Sequence, residues 1–116
     1  MAGWVLDPDS GGVKIPDAVQ QEVNRRLTKH AEKHYAGTYT KLVIRFRGQF
    51  CYIDAHLSGE DFPTHLCRLR HFGGNRWSLG FYTYSNEKYE LAVFESGSFF
   101  GTPEKGFDIG AMYLRG

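Results

Sequence analysis

Residues 40–57 constrain this chain more than any other stretch, because turn chemistry and hydrophobic alternation there agree on a single strand pairing. Gly48-Gln49 fits a two-residue type II′ turn, which wants glycine first. Pairing outward from that turn sets Phe46 opposite Cys51, Ile44 opposite Ile53 and Leu42 opposite Ala55, and these six make one apolar face. Val43, Arg45, Arg47, Phe50, Tyr52 and Asp54 then fall on the other face. A slip of one residue would carry every apolar side chain into water, so the register is well specified.

A second hairpin is expected from Thr64 to Tyr84 through Gly73-Gly74-Asn75. A three-residue loop puts Leu69 opposite Leu79 and Cys67 opposite Phe81, with His71 and Trp77 on the same inner face. Strict alternation leaves Leu66, Arg68, Arg70, Ser78, Gly80, Tyr82 and Tyr84 outside. A fifth strand from Tyr89 to Phe94 and a short one from Ser98 to Phe100 follow, separated by the turn Glu95-Ser96-Gly97.

Helices flank this run of strands. Pro16 suits a first helical position, and Val19, Val23, Leu27, Ala31 and Tyr35 recur every four residues, so one apolar stripe is expected up to Gly37. Thr102-Pro103-Glu104 reads as an N-cap, a first helical residue and an acid at the positive end. Phe107, Ala111 and Leu114 follow the inner face of that second helix, and Gly106 and Gly110 fit a close approach to the sheet. The pattern is α+β: a bent antiparallel meander of five or six strands, the N-terminal helix packed on one face, and a short C-terminal helix. This arrangement resembles cystatin-like or helix-grip topologies by analogy, and such folds host unrelated functions.

At 116 residues one core is expected. Asp7-Pro8-Asp9-Ser10-Gly11-Gly12 is turn and linker chemistry, so residues 1–14 read as a flexible arm, on which Trp4, Val5 and Leu6 are able to dock, and residues 15–116 as the domain. No apolar run approaches the ~20 residues of a membrane span, and the start has no basic or apolar leader region, so neither a membrane segment nor a signal peptide is expected. The two cysteines are too few for a disulfide scaffold and suggest a reduced, cytoplasmic setting.

The outer face carries the chemistry. Arg45, Arg47, Arg68 and Arg70 alternate with Phe50, Tyr52, Tyr82 and Tyr84, with Asp54, His56 and Glu90 among them. Arginine forks beside flat rings suit an anionic small molecule or a partner protein; the same residues also suit a face where arginine stems simply lie over rings. The expected function is therefore a non-enzymatic binding module using Arg45, Arg47, Tyr52, Arg68, Arg70, Tyr82 and Tyr84. The alternative is a small hydrolase-like or isomerase-like enzyme built on Asp54 and His56 with nearby arginines. A homodimer burying the aromatic face is compatible with either.

Other chemistry is thinly signalled. A net charge of +1 gives no push toward nucleic acid. Arg47-Gly48-Gln49-Phe50-Cys51-Tyr52-Ile53 is similar in outline to the RNA-recognition signature, but it departs at Gln49 and Gly48 belongs to a tight turn, so nucleic acid is not the expected partner. His30 and His34 lie one helical turn apart and make only half a metal site. His65, Cys67 and His71 alternate along one strand on the core side with Cys51, but Leu69 intervenes and no C-x-x-C exists. No metal and no cofactor are expected, and both thiols are expected as core filler.

The strings Phe46-Arg47-Gly48-Gln49-Phe50-Cys51-Tyr52-Ile53-Asp54 and Tyr82-Thr83-Tyr84-Ser85-Asn86-Glu87-Lys88-Tyr89-Glu90, with Thr102-Pro103-Glu104 and Ala111-Met112-Tyr113-Leu114, are similar to small bacterial proteins of uncharacterised function. The similarity spans most of residues 12–114. It implies a free-standing bacterial protein and carries no activity, substrate or site.

Overall fold

The computed structural model describes residues 7–115. Its elements are α1 (Asp17–His34), β1 (Lys41–Arg47), β2 (Phe50–His56), β3 (Thr64–His71), β4 (Trp77–Thr83), β5 (Lys88–Ala92), β6 (Phe100–Gly101), α2 (Pro103–Gly110) and a 3-10 turn, Ala111–Arg115. Five strands follow the expected antiparallel meander, β1 to β5. The sixth returns to β4, where Trp77 and Ser78 pair with Gly101 and Phe100 beyond the end of β5. No helix among the described residues is long and apolar enough to cross a membrane.

The first hairpin has the register its sequence dictates: Phe46 faces Cys51, Ile44 faces Ile53 and Leu42 faces Ala55. Gly48 has φ 59°, and Glu87 is the one non-glycine residue with positive φ among the described residues, so Gln49 is at negative φ. Positive then negative φ is the type II′ signature.

Both helices cover the inner face. Pro16 is the extended cap of α1, one position earlier than expected. Val23, Leu27 and Ala31 join Ile15, Cys51, Ile53, Leu69, Leu79 and Phe107 in one buried cluster. Thr102 caps α2 by accepting a hydrogen bond from the Lys105 amide. A Cβ at Gly106 would lie 2.6 Å from Leu69 Cδ2, and one at Gly110 2.9 Å from the Leu66 carbonyl oxygen. The glycines therefore set how closely α2 presses on β3. Arg26 grips both Glu104 carboxylate oxygens, at 2.8 and 2.6 Å, tying α1 to the start of α2.

Alternation fails in β3, and this corrects two placements made from parity. Ile53 faces Cys67 but Asp54 faces His65, so Leu66 is an extra residue in the ladder, a β-bulge. Leu66 is fully buried on the α2 side rather than exposed. His65 turns to the outer face instead of sharing the core side with Cys67, and its ring meets Asp54. The physical reason is a double gain. Burying a leucine side chain contributes about 1.5–3 kcal/mol, and the imidazole finds a carboxylate. Glu90 is corrected as well. It pairs with Phe81, on the inner parity, and its carboxylate accepts from Thr83 and Asn86, while Tyr89 stands opposite Tyr82 on the outer face.

Of the expected arm, residues 1–6, including Trp4, Val5 and Leu6, lie outside the described residues. Residues 8–15 cross the ends of the strands. The Ser78 hydroxyl donates to the Pro8 carbonyl, the Val13 amide to His71 and the Ile15 amide to Gly48. Ser78 is thereby buried although it stands on the outer face.

Two outcomes follow from this packing. Leu66→Ala is expected to cost about 2–5 kcal/mol in urea unfolding, the price of a core leucine, whereas an exposed leucine would cost within ~0.5 kcal/mol. Burial also pushes the Cys51 and Cys67 thiols far above the ordinary range. The folded state therefore holds both protons where the unfolded chain loses them. Stability is fully present below about pH 8.5, the pKa of a free thiol, and falls as pH rises past it. Unfolding midpoints at pH 8 and pH 10 check this, and Cys51→Ala should make the decline shallower.

Candidate functional site

The outer face is assembled from five neighbouring strands, each supplying side chains at alternate positions. β1 brings Arg45 and Arg47, β2 brings Phe50, Tyr52 and Asp54, β3 brings His65, Arg68 and Arg70, β4 brings Tyr82 and β5 brings Tyr89. Arg45 and Tyr52 do share one side: the guanidinium lies 4.9 Å from the ring centroid.

Asp54 is the buried anion of the site, its side chain 4% exposed. Arg45 Nη2 donates to Oδ2 at 3.1 Å and His65 Nδ1 lies 2.9 Å from Oδ1. A carboxylate only accepts, so Nδ1 carries the proton and donates. Nε2 of a neutral imidazole then has a free lone pair, and among the described residues nothing bonds to it. His65 is held from above as well. Its ring centroid is 4.7 Å from that of Tyr82, and its backbone amide donates to the Tyr84 hydroxyl at 2.7 Å.

Tyr89 is the hub. Its ring meets Tyr82 at 5.0 Å, Tyr52 at 5.7 Å and His65 at 6.4 Å. Burial, with Asp54 nearby, pushes its phenol well above the ordinary range, so it stays protonated. Arg68 lies between two rings, 4.3 Å from the Phe50 centroid and 5.1 Å from Tyr89. Gly80 clears the space for this stack, since a Cβ there would sit 3.2 Å from Tyr89 Cβ and 3.7 Å from Arg68 Nε.

The arginines differ in what occupies them. Arg45 is paired with Asp54. Arg70 lies over Phe50 and donates to the Gly11 carbonyl at 2.8 Å. Partial burial, with Arg68 beside it, lowers its pKa. Arg68 has no hydrogen-bond acceptor among the described residues. Five N–H donors are thus held in a fixed plane by aromatic rings with nothing to receive them.

The residues singled out from sequence divide accordingly. Arg45, Tyr52, Asp54, Arg68, Arg70 and Tyr82 come together, and Tyr84 stands at the rim against Tyr82 and Tyr113. Arg47 is exposed toward the hairpin turn. His56 stands opposite Lys41, at the far end of β2, and both oxygens of Asp54 go to Arg45 and His65 instead. His65 and Tyr89 were missed. The signal for His65 was Leu66 itself, a large aliphatic residue assigned to a face of arginines and tyrosines.

Elsewhere, His30 Nε2 lies 2.6 Å from Asp108 Oδ1, to which the Tyr35 hydroxyl donates at 2.7 Å, and the His34 ring is 4.7 Å from that of His30. Among the described residues no group of three or more His, Cys, Asp or Glu side chains is placed to hold a metal ion. Recesses lie along α1, between α1 and Trp77, and between β4, β5 and the C-terminal helix. None of these has an outer-face arginine in its wall.

Asp54→Asn is expected to destabilise the domain by about 1–3 kcal/mol, because it removes the buried charge that two donors address. The loss should shrink in a His65→Gln background, and urea unfolding of the four proteins measures that coupling. Strict additivity would mean the pair is not energetically joined.

No protein-family model matches the chain, and no curated protein or solved structure matches it either.

Proposed function

We propose that the outer face of the sheet is a recognition platform for a small anionic molecule that carries a flat ring. The observation behind this reading is Arg68, a guanidinium stacked between Phe50 and Tyr89 with no acceptor among the described residues. Charge-assisted hydrogen bonds from an arginine fork to phosphate or carboxylate are about twice as strong as neutral ones. Stacking a heterocycle on an aromatic side chain adds about 1–3 kcal/mol per ring. Phe50, Tyr52, Tyr82 and Tyr89 offer such surfaces around the guanidinium.

The arrangement also supports an anion over a cation. Asp54 is the acid of the platform and is already committed to Arg45 and His65. Arg68 and Arg70 stand side by side, each within reach of the Phe50 ring.

Titration with a nucleoside monophosphate and with inorganic phosphate, followed by calorimetry or NMR, tests the reading. The nucleotide should bind more tightly than phosphate, and Arg68→Ala should weaken it at least tenfold while the domain stays folded, at a stability cost no larger than about 1–2 kcal/mol for its two ring contacts. Arg68→Lys keeps the charge and loses the planar fork, so it should recover only part of the affinity. Equal binding by wild type and both variants would overturn the proposal, as would no binding of either probe to wild type.

A further inference from the structure

We infer that this platform is also catalytic, cleaving the phosphodiester of single-stranded RNA by attack of the substrate's own 2′-hydroxyl, with His65 as general base. The inference rests on the anion-binding reading above and adds the reaction.

Its geometric basis is the bulge at Leu66, which makes His65 and Arg68 neighbours on one face, opposite Asp54 and Tyr52. Same-face neighbours along a strand stand about 7 Å apart, two residues of rise. A phosphate hydrogen-bonded to Arg68 then lies within reach of groups that touch His65. Asp54 Oδ1 accepts the hydrogen bond from Nδ1–H, so the lone pair of Nε2 is the basic end of the imidazole. The buried carboxylate stabilises the imidazolium that forms on proton uptake, as the carboxylate does in hydrolytic triads. Arg45 holds that carboxylate from β1. Tyr82, Tyr84 and Tyr89, the other titratable groups against the ring, come from β4, the loop after it, and β5.

The class of reaction follows from what the face lacks and what it holds. Among the described residues neither thiol faces it, both being buried on the opposite side, and the Ser78 hydroxyl is engaged by Pro8. What Nε2 is placed to activate is a hydroxyl that the substrate itself brings. RNA carries one beside every phosphate, the 2′-hydroxyl, along with bases that stack on Phe50, Tyr52, Tyr82 and Tyr89. The chain's net charge of +1 does not oppose this. The local field that a phosphate meets is set chiefly by Arg68 and Arg70, with Asp7 and Asp9 acting on Arg70 and Arg45 balanced by Asp54.

In the step, His65 Nε2 takes the 2′-hydroxyl proton and the freed oxygen bonds to phosphorus. Arg68 carries the charge that develops on the non-bridging oxygens. The bond from phosphorus to the 5′-oxygen breaks, and water protonates the departing alkoxide. The hydroxide left behind takes the proton from imidazolium, so base and solvent are restored. The products are a 2′,3′-cyclic phosphate and a free 5′-hydroxyl.

The test pairs a short single-stranded oligoribonucleotide with its 2′-deoxy counterpart of the same sequence. Both are expected to bind, and only the RNA to be cut, leaving the cyclic phosphate. His65→Gln should bind within threefold of wild type and cut at least a hundredfold more slowly, the scale of a lost general base. The acidic limb of the pH–rate profile should vanish with it. His65→Phe, which keeps a ring against Tyr82, serves as the second variant if the glutamine protein is unstable. Binding of both strands without cleavage would overturn the catalytic inference and leave the recognition platform standing. Binding of neither strand would overturn the RNA inference, while the platform itself stands or falls on the nucleoside monophosphate titration above. Cleavage undiminished in His65→Gln and His65→Phe would remove His65 from the chemistry.

Discussion

One extra residue in β3 governs the rest of this molecule. Leu66 has no partner in the ladder with β2, and because side chains alternate, everything before it changes sides relative to everything after it. The inner face gains a leucine that packs where Gly110 lets α2 approach the strand. The outer face gains His65, delivered to Asp54. Core packing and site chemistry are therefore not separable here, since the same backbone irregularity supplies both.

The two faces of the sheet are stabilised by different physics. On the inner side, the aliphatic stripe of α1 and the glycine-bearing face of α2 close over Ile53, Leu69 and Leu79, and the thiols behave as small apolar filler whose ionisation burial opposes. The outer side has no helix over it among the described residues. Its rings and guanidinium groups cover one another instead, Arg45 over Tyr52, and Arg68 and Arg70 over Phe50. Such contacts hold long side chains in place at modest energetic gain, about 0.5–1 kcal/mol each where exposed. What remains is an arginine, Arg68, with no hydrogen-bond acceptor among the described residues, and the proposed recognition of an anion rests on it.

Legibility in the sequence tracked the range of the interactions involved. The Gly48-Gln49 hairpin was readable because turn and strand pattern are local and agree. The Thr102-Pro103 helix start was readable because capping is local too. The pairs Leu69–Leu79, Cys67–Phe81 and His71–Trp77 followed from loop length alone. Asp54 was correctly placed outside, yet its partner was misassigned to His56, two residues away, when the true partner lies across the next strand. Tyr89 was read as the start of the fifth strand but Glu90 was set on the outer face in its place, because the parity of β5 depends on how the loop from Tyr84 to Glu87 closes, and Glu87 adopts a positive φ that composition does not announce.

Period-two alternation, turn residues and helix caps determined the strand order, most of the register and the identity of the buried side, because each acts between residues close in sequence. Tertiary structure decided the bulge. The cost of breaking the ladder at Leu66 is repaid only by α2 from the far end of the chain and by Asp54 from the neighbouring strand. That balance exists only once those elements are in contact, and with it the histidine, the carboxylate and the ring-stacked arginine came to share one face.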